Sequence, residues 1–141
     1  MVVLSSSGGV RRDDRGSAPS SVFPDRSLGR EERLRLRSEF RRVYDDGKTY
    51  PGTFLVLFVL AGSDLERRAG FVASRRVGNA VTRNRSKRLL REAYRHHKNI
   101  IPRHGYHLVF VARKGCGVAS YRDIESELVK KLALAGFNTV S

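Results

Sequence analysis

Residues 75–95 read RRVGNAVTRNRSKRLLREAYR. Between Phe71 and His104 stand ten Lys or Arg against one acidic residue, Glu92, in a chain whose formal net charge is +14. Asn79 suits a helix N-cap, with Gly78 providing the tight approach, and the spacing predicts a helix from about Ala80 to about Lys98. At roughly 100° per residue, Ser86, Leu89, Leu90 and Ala93 share one arc with Tyr94 at its margin. Arg85, Arg88, Arg91 and Arg95 fall on the opposite side with Asn84, Lys87 and Lys98. Neighbours at i,i+3 and i,i+4 stabilise a helix when their signs mix. Here nearly all are positive, so the unbound helix repels itself, and phosphates would relieve the repulsion. A solvated charged face is the bland reading. The scarcity of acids and the arginine bias favour a nucleic acid, because the planar guanidinium suits phosphate and stacks on bases.

Outward from this helix the pattern alternates. On the N-terminal side, Ser38 is a candidate cap for a short helix carrying Phe40, Val43 and Tyr44, with Gly47 as its stop. Residues 53–60 (TFLVLFVL) have the length and composition of a strand. Gly62-Ser63-Asp64 marks a turn and Ala69–Ser74 a second strand. On the C-terminal side, His107–Ala112 reads as a third strand. Ser120 and Asp123 then form a capping-box pattern ahead of a stripe of Tyr121, Ile124, Leu128 and Leu132, which Gly136 ends. The order helix, strand, strand, helix, strand, helix is that of an α+β layer, one small sheet packed with helices. In the strand 53–60, residues 54, 56, 58 and 60 face one way and 55, 57 and 59 the other, and both sets are apolar. One set packs on the core. The other is either buried too or lines a groove beside Phe40 and Tyr44.

Composition bounds the rest. A length of 141 residues fits one domain. Residues 1–27, with a Ser/Gly run, Pro19, Pro24 and little apolar content, read as a disordered extension, leaving 28–141 as the folded domain. The segment lacks the apolar core of a signal peptide, and Asp13 and Asp14 argue against a transit peptide. Membrane-span length is not approached anywhere. A sequence pI near 11.0 implies an acidic partner, nucleic acid before anionic lipid. Cys116 is the single cysteine, which excludes an intrachain disulfide and accords with a cytoplasmic setting. His96, His97, His104 and His107 are the histidines; the adjacent pair points in different directions on a helix, so an acid–base dyad is disfavoured. The acidic residues are scattered, and no metal site is expected.

The block Ser74–Val81, Arg83-Asn84-Arg85 and Ser86–Arg95 resembles the Arg-Asn-Arg signature region of the bacterial ribonuclease P protein component. The likeness extends to Arg33-Leu34, to Ser38–Gly47 and to Val109–Arg113, and covers about residues 33–135. It implies a small ribosomal-protein-domain-like α+β sandwich with a left-handed βαβ crossover. It also implies a ribonucleoprotein enzyme, in which a catalytic RNA hydrolyses precursor tRNA to release the 5′ leader. Mg2+ held largely by the RNA would support the chemistry, with no catalytic residue in the protein and one protein per RNA.

By position, the resemblance assigns Arg75, Arg76, Asn79, Arg83, Asn84, Arg85, Lys87, Arg88, Arg91 and Arg95 to the catalytic RNA. It assigns Phe40, Tyr44, Val56 and Phe58 to a cleft for the single-stranded leader. Arg75-Arg76 depart from the lysines common in the family, and Ser86 from a usual apolar or basic residue. A structural RNA-binding protein would need the basic helix but not the aromatic cleft.

Overall fold

The computed structural model describes residues 28–137. The extension expected over 1–27 lies outside the described residues. Four strands, β1 (Lys48–Pro51), β2 (Leu55–Glu66), β3 (Arg68–Val72) and β4 (His104–Ala112), form one sheet in the order β1-β2-β4-β3. Three helices accompany it: α1 (Arg37–Asp46), α2 (Ala80–His97) and α3 (Tyr121–Leu134). The α+β class is therefore as expected. β1 was not expected: Lys48, Thr49, Tyr50 and Pro51 carry no strand pattern of their own. They pair because β2 offers them an antiparallel edge, Thr49 opposite Phe58 and Pro51 opposite Val56. β2 itself runs past the expected turn at Gly62 to Glu66, with an irregularity in its pairing to β4 between Ala61 and Glu66.

β3 and β4 are parallel, Gly70 opposite Val109 and Phe71 opposite Phe110. Parallel neighbours need a long connection, and α2 supplies it. The outer edge of β3 is partly covered by the N-terminal segment, where Leu34 N donates to Ala69 O at 3.0 Å.

One face of the sheet is closed. Leu55, Leu57 and Val59, with Ala69, Phe71, Leu108 and Phe110, pack against Leu89, Leu90, Ala93 and Tyr94 of α2 and Ile124, Leu128 and Leu132 of α3. Phe71 and Phe110 stack at 5.7 Å and 8°, and Tyr94 lies across both. Of the stripes read from helical spacing, Ser86, Leu89, Leu90 and Ala93 of α2 and Ile124, Leu128 and Leu132 of α3 are buried, Tyr121 is half-buried, and Tyr94 lies at the centre of the core instead of its margin.

The other face is covered in part by α1. Phe40 and Val43 sit over Leu60 and Val109 with Leu34 and Leu65, while Phe58, Val72 and Val111 are half-buried. Gly70 is required here by close approach, because a Cβ at that position would run into the Phe40 ring.

Two local expectations are corrected. Ser38 does not cap α1; the helix begins one residue earlier, at Arg37, so Ser38 lies inside its first turn. Glu39 does the work, its Oε1 accepting from Arg35 N and Leu36 N at 3.1 Å each and its Oε2 from Arg68 Nη1 at 3.4 Å. One carboxylate thus starts α1 and ties it to β3. Lys98 is not part of an exposed basic face. The chain leaves the α-helix at His97 for a 3-10 turn (Lys98–Ile100), which carries Lys98 inward to 1 % exposure. Its Nζ lies 2.7 Å from Glu32 Oε1, which also meets Arg67 Nη2 at 3.4 Å. Arg67 Nη1 donates to the carbonyls of Lys98 and Ile101.

α3 starts as expected, Ser120 Oγ accepting from Asp123 N at 3.1 Å. Farther along it, both oxygens of Glu127 accept from Phe54 N, at 3.0 and 3.2 Å, and so hold the β1–β2 turn. A Cβ on Gly52 would occupy the place of the Glu127 carboxylate.

Candidate nucleic-acid interface

α2 is assembled from the residues upward. Ser74 Oγ accepts from Arg76 N at 3.3 Å and opens a 3-10 turn (Arg75–Val77) that holds both arginines outward. Gly78 follows at φ 150°, a backbone setting that side chains rarely adopt. Asn79 Oδ1 accepts from Thr82 N at 2.9 Å and caps the helix, as the sequence predicts. Its carbonyl side is thereby used, and its amide NH2 remains as a donor.

On α2 the expected RNA-facing residues include a crest and a flank. Asn84 and Arg88 are exposed on the crest, with Arg91 and Arg95 half-buried beside them. On the flank run Arg83, Lys87 and Arg91. Burial, followed by the charges of Arg83 and Arg91, holds the Lys87 ammonium below its ordinary pKa. Burial and the nearby Arg33 do the same to Arg91, with Glu92 opposing and Arg88 adding to the effect. Burial is thus the main cause on this flank, with like charge from neighbouring arginines adding to it.

Several arginines are held by the fold itself. Arg83 Nη1 donates to Gly78 O at 2.9 Å and Arg85 Nε to Gly117 O at 2.6 Å. Arg95 Nη2 lies 2.8 Å from Glu92 Oε1 and His96 Nε2 3.4 Å from the same oxygen. Burial pushes the Glu92 carboxyl up, but Arg95 and His96 outweigh it and leave it below its ordinary pKa. These bonds reduce the side-chain entropy lost when a partner docks.

His96 and His97 have structural partners. His97 Nε2 lies 2.8 Å from Glu125 Oε2, joining α2 to α3. His107 is buried in β4, where burial is the main cause holding its imidazole below the usual pKa. Cys116 is fully buried and its thiol is pushed up to about 11, mainly by burial, so it is not poised as a nucleophile. Among the described residues, no group of three or more His, Cys, Asp or Glu could hold a metal, and no step is assigned to this chain through one.

The cleft residues come together on the partly covered sheet face. Phe40 projects from α1 onto the sheet at Gly70 and is 8 % exposed, so it is largely buried beneath its own helix. Tyr44, 39 % exposed, meets Phe58 edge-to-face at 4.9 Å. Burial pushes the Tyr44 hydroxyl above its ordinary pKa, so it stays a neutral donor. Val56 and Phe58 are half-buried, and Val111 stands beside Val56. The strand's second face is therefore neither sealed nor open along its length. Leu60 lies under α1, and the Val56 end is uncovered. Beyond the strand ends, Arg76, Arg113 and Lys114, with Thr53, Ser74, Val77 and Ala112, line a separate groove of about 430 Å³, to which Phe40, Tyr44, Val56 and Phe58 do not contribute. Sequence reasoning marked Arg113 only as a basic residue after a strand; Lys114 carried no signal, because its place depends on the ends of β3 and β4 meeting.

The family model described as Ribonuclease P matches residues 28–136. The chain is 42% identical over 107 residues to the ribonuclease P protein component of Clostridium botulinum (strain Loch Maree / Type A3), covering 76% of this chain and 96% of that one. It is 41% identical over 105 residues to the same component of Alkaliphilus oremlandii, covering 72% and 91%. Among solved structures it is similar to the RNase P protein of Staphylococcus aureus, with TM-score 0.67, 28% identity and coverage of 76% and 98%. It is also similar to the RNase P protein from Thermotoga maritima, with TM-score 0.61, 30% identity and coverage of 70% and 93%.

Proposed function

This chain belongs to the ribonuclease P protein component family, and from that membership we propose that it binds the catalytic RNA through α2 and the 5′ leader of precursor tRNA through the Phe40–Tyr44–Val56–Phe58 cleft. A component of this family is part of an endoribonuclease holoenzyme and has an RNA subunit as partner. The observation that supports the reading is the presence of two unlike surfaces on one small fold. Exposed Asn84 and Arg88 on α2 are flanked by arginines, and the opposite face of the sheet is a half-open apolar patch on which Tyr44 and Phe58 pair.

Each surface has its chemistry. Arg75, Arg76, Asn79, Arg83, Asn84, Arg85, Lys87, Arg88, Arg91 and Arg95 neutralise phosphates of the folded RNA and release counterions. The cleft stacks bases of the leader, at roughly 1–3 kcal/mol per base, with little demand on sequence. The protein positions the substrate and contributes no reacting group. Mg2+, held largely by RNA, supplies the activated water when bound. One protein acts per RNA, in the cytoplasm; among the described residues no helix is long and apolar enough to cross a membrane.

The test is precursor-tRNA cleavage at low magnesium by the protein alone, a bacterial ribonuclease P RNA alone, and both together. Cleavage at the mature 5′ end only with both is expected. No gain from the protein would favour a structural RNA-binding role, and cleavage by the nuclease-treated protein alone would place the catalytic centre in this chain. In the assembled holoenzyme, Phe40→Ala with Tyr44→Ala should weaken precursor more than mature tRNA; equal losses would remove leader recognition.

A further inference from the structure

The two most exposed large hydrophobic side chains among the described residues are Val118, 83 %, and Val81, 76 %. They are far apart in sequence, yet one packing contact brings them to the same end of α2. The 3-10 turn Cys116–Val118 lies against the helix through Gly117, where a Cβ would meet Thr82 Cγ2 at 2.5 Å and Ser86 Oγ at 3.0 Å. Val81 immediately precedes Thr82, and Val118 immediately follows Gly117. Between them Arg85 reaches across and donates from Nε to Gly117 O at 2.6 Å.

Val81 is also embedded in the basic crest. Asn84, Arg85 and Arg88 stand three, four and seven residues after it, which are the same-face neighbours on a helix. A surface designed only to be solvated gains nothing from two bare valines among arginines. A nucleotide offers both kinds of partner at once, a phosphate for the guanidinium and a ribose or base face for the methyl groups.

We propose that Val81 and Val118 form an apolar contact within the catalytic-RNA surface, packing on the ribose or base face of an unpaired nucleotide whose phosphate is held by Arg85. With Nε committed to Gly117 O, the Nη groups of Arg85 are presented in a fixed plane beside the two valines. The proposal rests on α2 being the RNA-facing element. It adds the Cys116–Val118 turn to that surface and gives the surface a component that does not depend on salt.

The experiment measures binding of the full chain to a bacterial ribonuclease P RNA over a range of salt concentrations. Wild type is compared with Val81→Ala/Val118→Ala and with Arg88→Ala. Removing apolar contact without charge should weaken binding about tenfold at every salt concentration and leave the slope of log affinity against log salt unchanged. Arg88→Ala should reduce that slope by about 1. Both valines are exposed, so the melting temperature should not move. Should it fall, the isosteric pair Val81→Thr/Val118→Thr is measured by the same criteria. A double variant within twofold of wild type, beside a reduced slope for Arg88→Ala, overturns the apolar contact and leaves α2 as the RNA-facing element. A double variant that alters the slope also overturns it. An unchanged slope for Arg88→Ala overturns the reading of α2, and the proposal with it.

Discussion

The two faces of the sheet are built from the same residue types and end in different states. Beneath α2 and α3, Leu55, Leu57, Phe71, Leu108 and Phe110 are fully buried. On the face that α1 covers in part, Val56, Phe58, Val72 and Val111 remain half-exposed. Two long helices, α2 of 18 residues and α3 of 14, roof the first face, while the second has a single helix of 10. The shortfall in cover, and not any difference in hydrophobicity, leaves a groove. Apolar residues on the first face serve stability; those on the second also present a surface to a ligand.

That contrast can be broken hardest from the closed side. Phe110→Ala, which removes the ring that stacks on Phe71 and meets Tyr94, should cost about 3–5 kcal/mol in denaturant unfolding. Gly70→Ala acts through the partly covered side: the new methyl displaces the Phe40 ring, and the overpacking should cost about 1–3 kcal/mol. Its distinguishing sign is that α1 loosens first, so amide exchange in Arg37–Asp46 should accelerate before that in α2. Equal acceleration in both would mean that the two faces unfold as one layer.

Phe58→Ala sharpens the comparison, because its main effect should appear in binding. Precursor tRNA should bind the holoenzyme weaker by about 1–3 kcal/mol while mature tRNA is unaffected. Ser120→Ala removes the α3 cap and should cost about 1 kcal/mol of stability, with precursor-to-mature discrimination unchanged. The smallest effect expected is that of pH on His107. Its folded pKa lies below its unfolded value, chiefly through burial, with Arg68 and Arg42 lowering it and Glu39 and Asp64 opposing. Its contribution is therefore present above the unfolded pKa and lost as pH falls through the folded one. His107→Gln should flatten the acid side of a melting-temperature profile; an unchanged profile would assign that slope to the carboxylates.

Much of this was legible in the chain. The buried arcs of α2 and α3 and the Asn79 and Ser120 caps follow from periodicity and turn chemistry, which are local. The features that escaped depend on distant residues meeting. β1 exists because β2 has a free edge. Glu39 replaced Ser38 at the start of α1 by reaching back to Arg35 N and Leu36 N and across to Arg68. Lys98 is charged and helix-adjacent, so projection placed it outside; Glu32, distant in sequence, provides the counter-charge that admits it to the interior. The site divides in the same way. The arginine crest is a periodic signal. Whether Val56 and Phe58 were covered depended on how far α1 extends over the sheet, which no window of β2 records.

The Glu127 carboxylate occupies the place a side chain at Gly52 would need, and its two oxygens hold Phe54 N. The two positions therefore behave as one heritable character. A lineage that gains a side chain at 52 while keeping Glu127 loses its hold on the β1–β2 turn, and with it the turn that sets Pro51 opposite Val56. A lineage that first shortens residue 127 is free to vary at 52, but has already surrendered the clamp. Drift at this corner is expected in pairs.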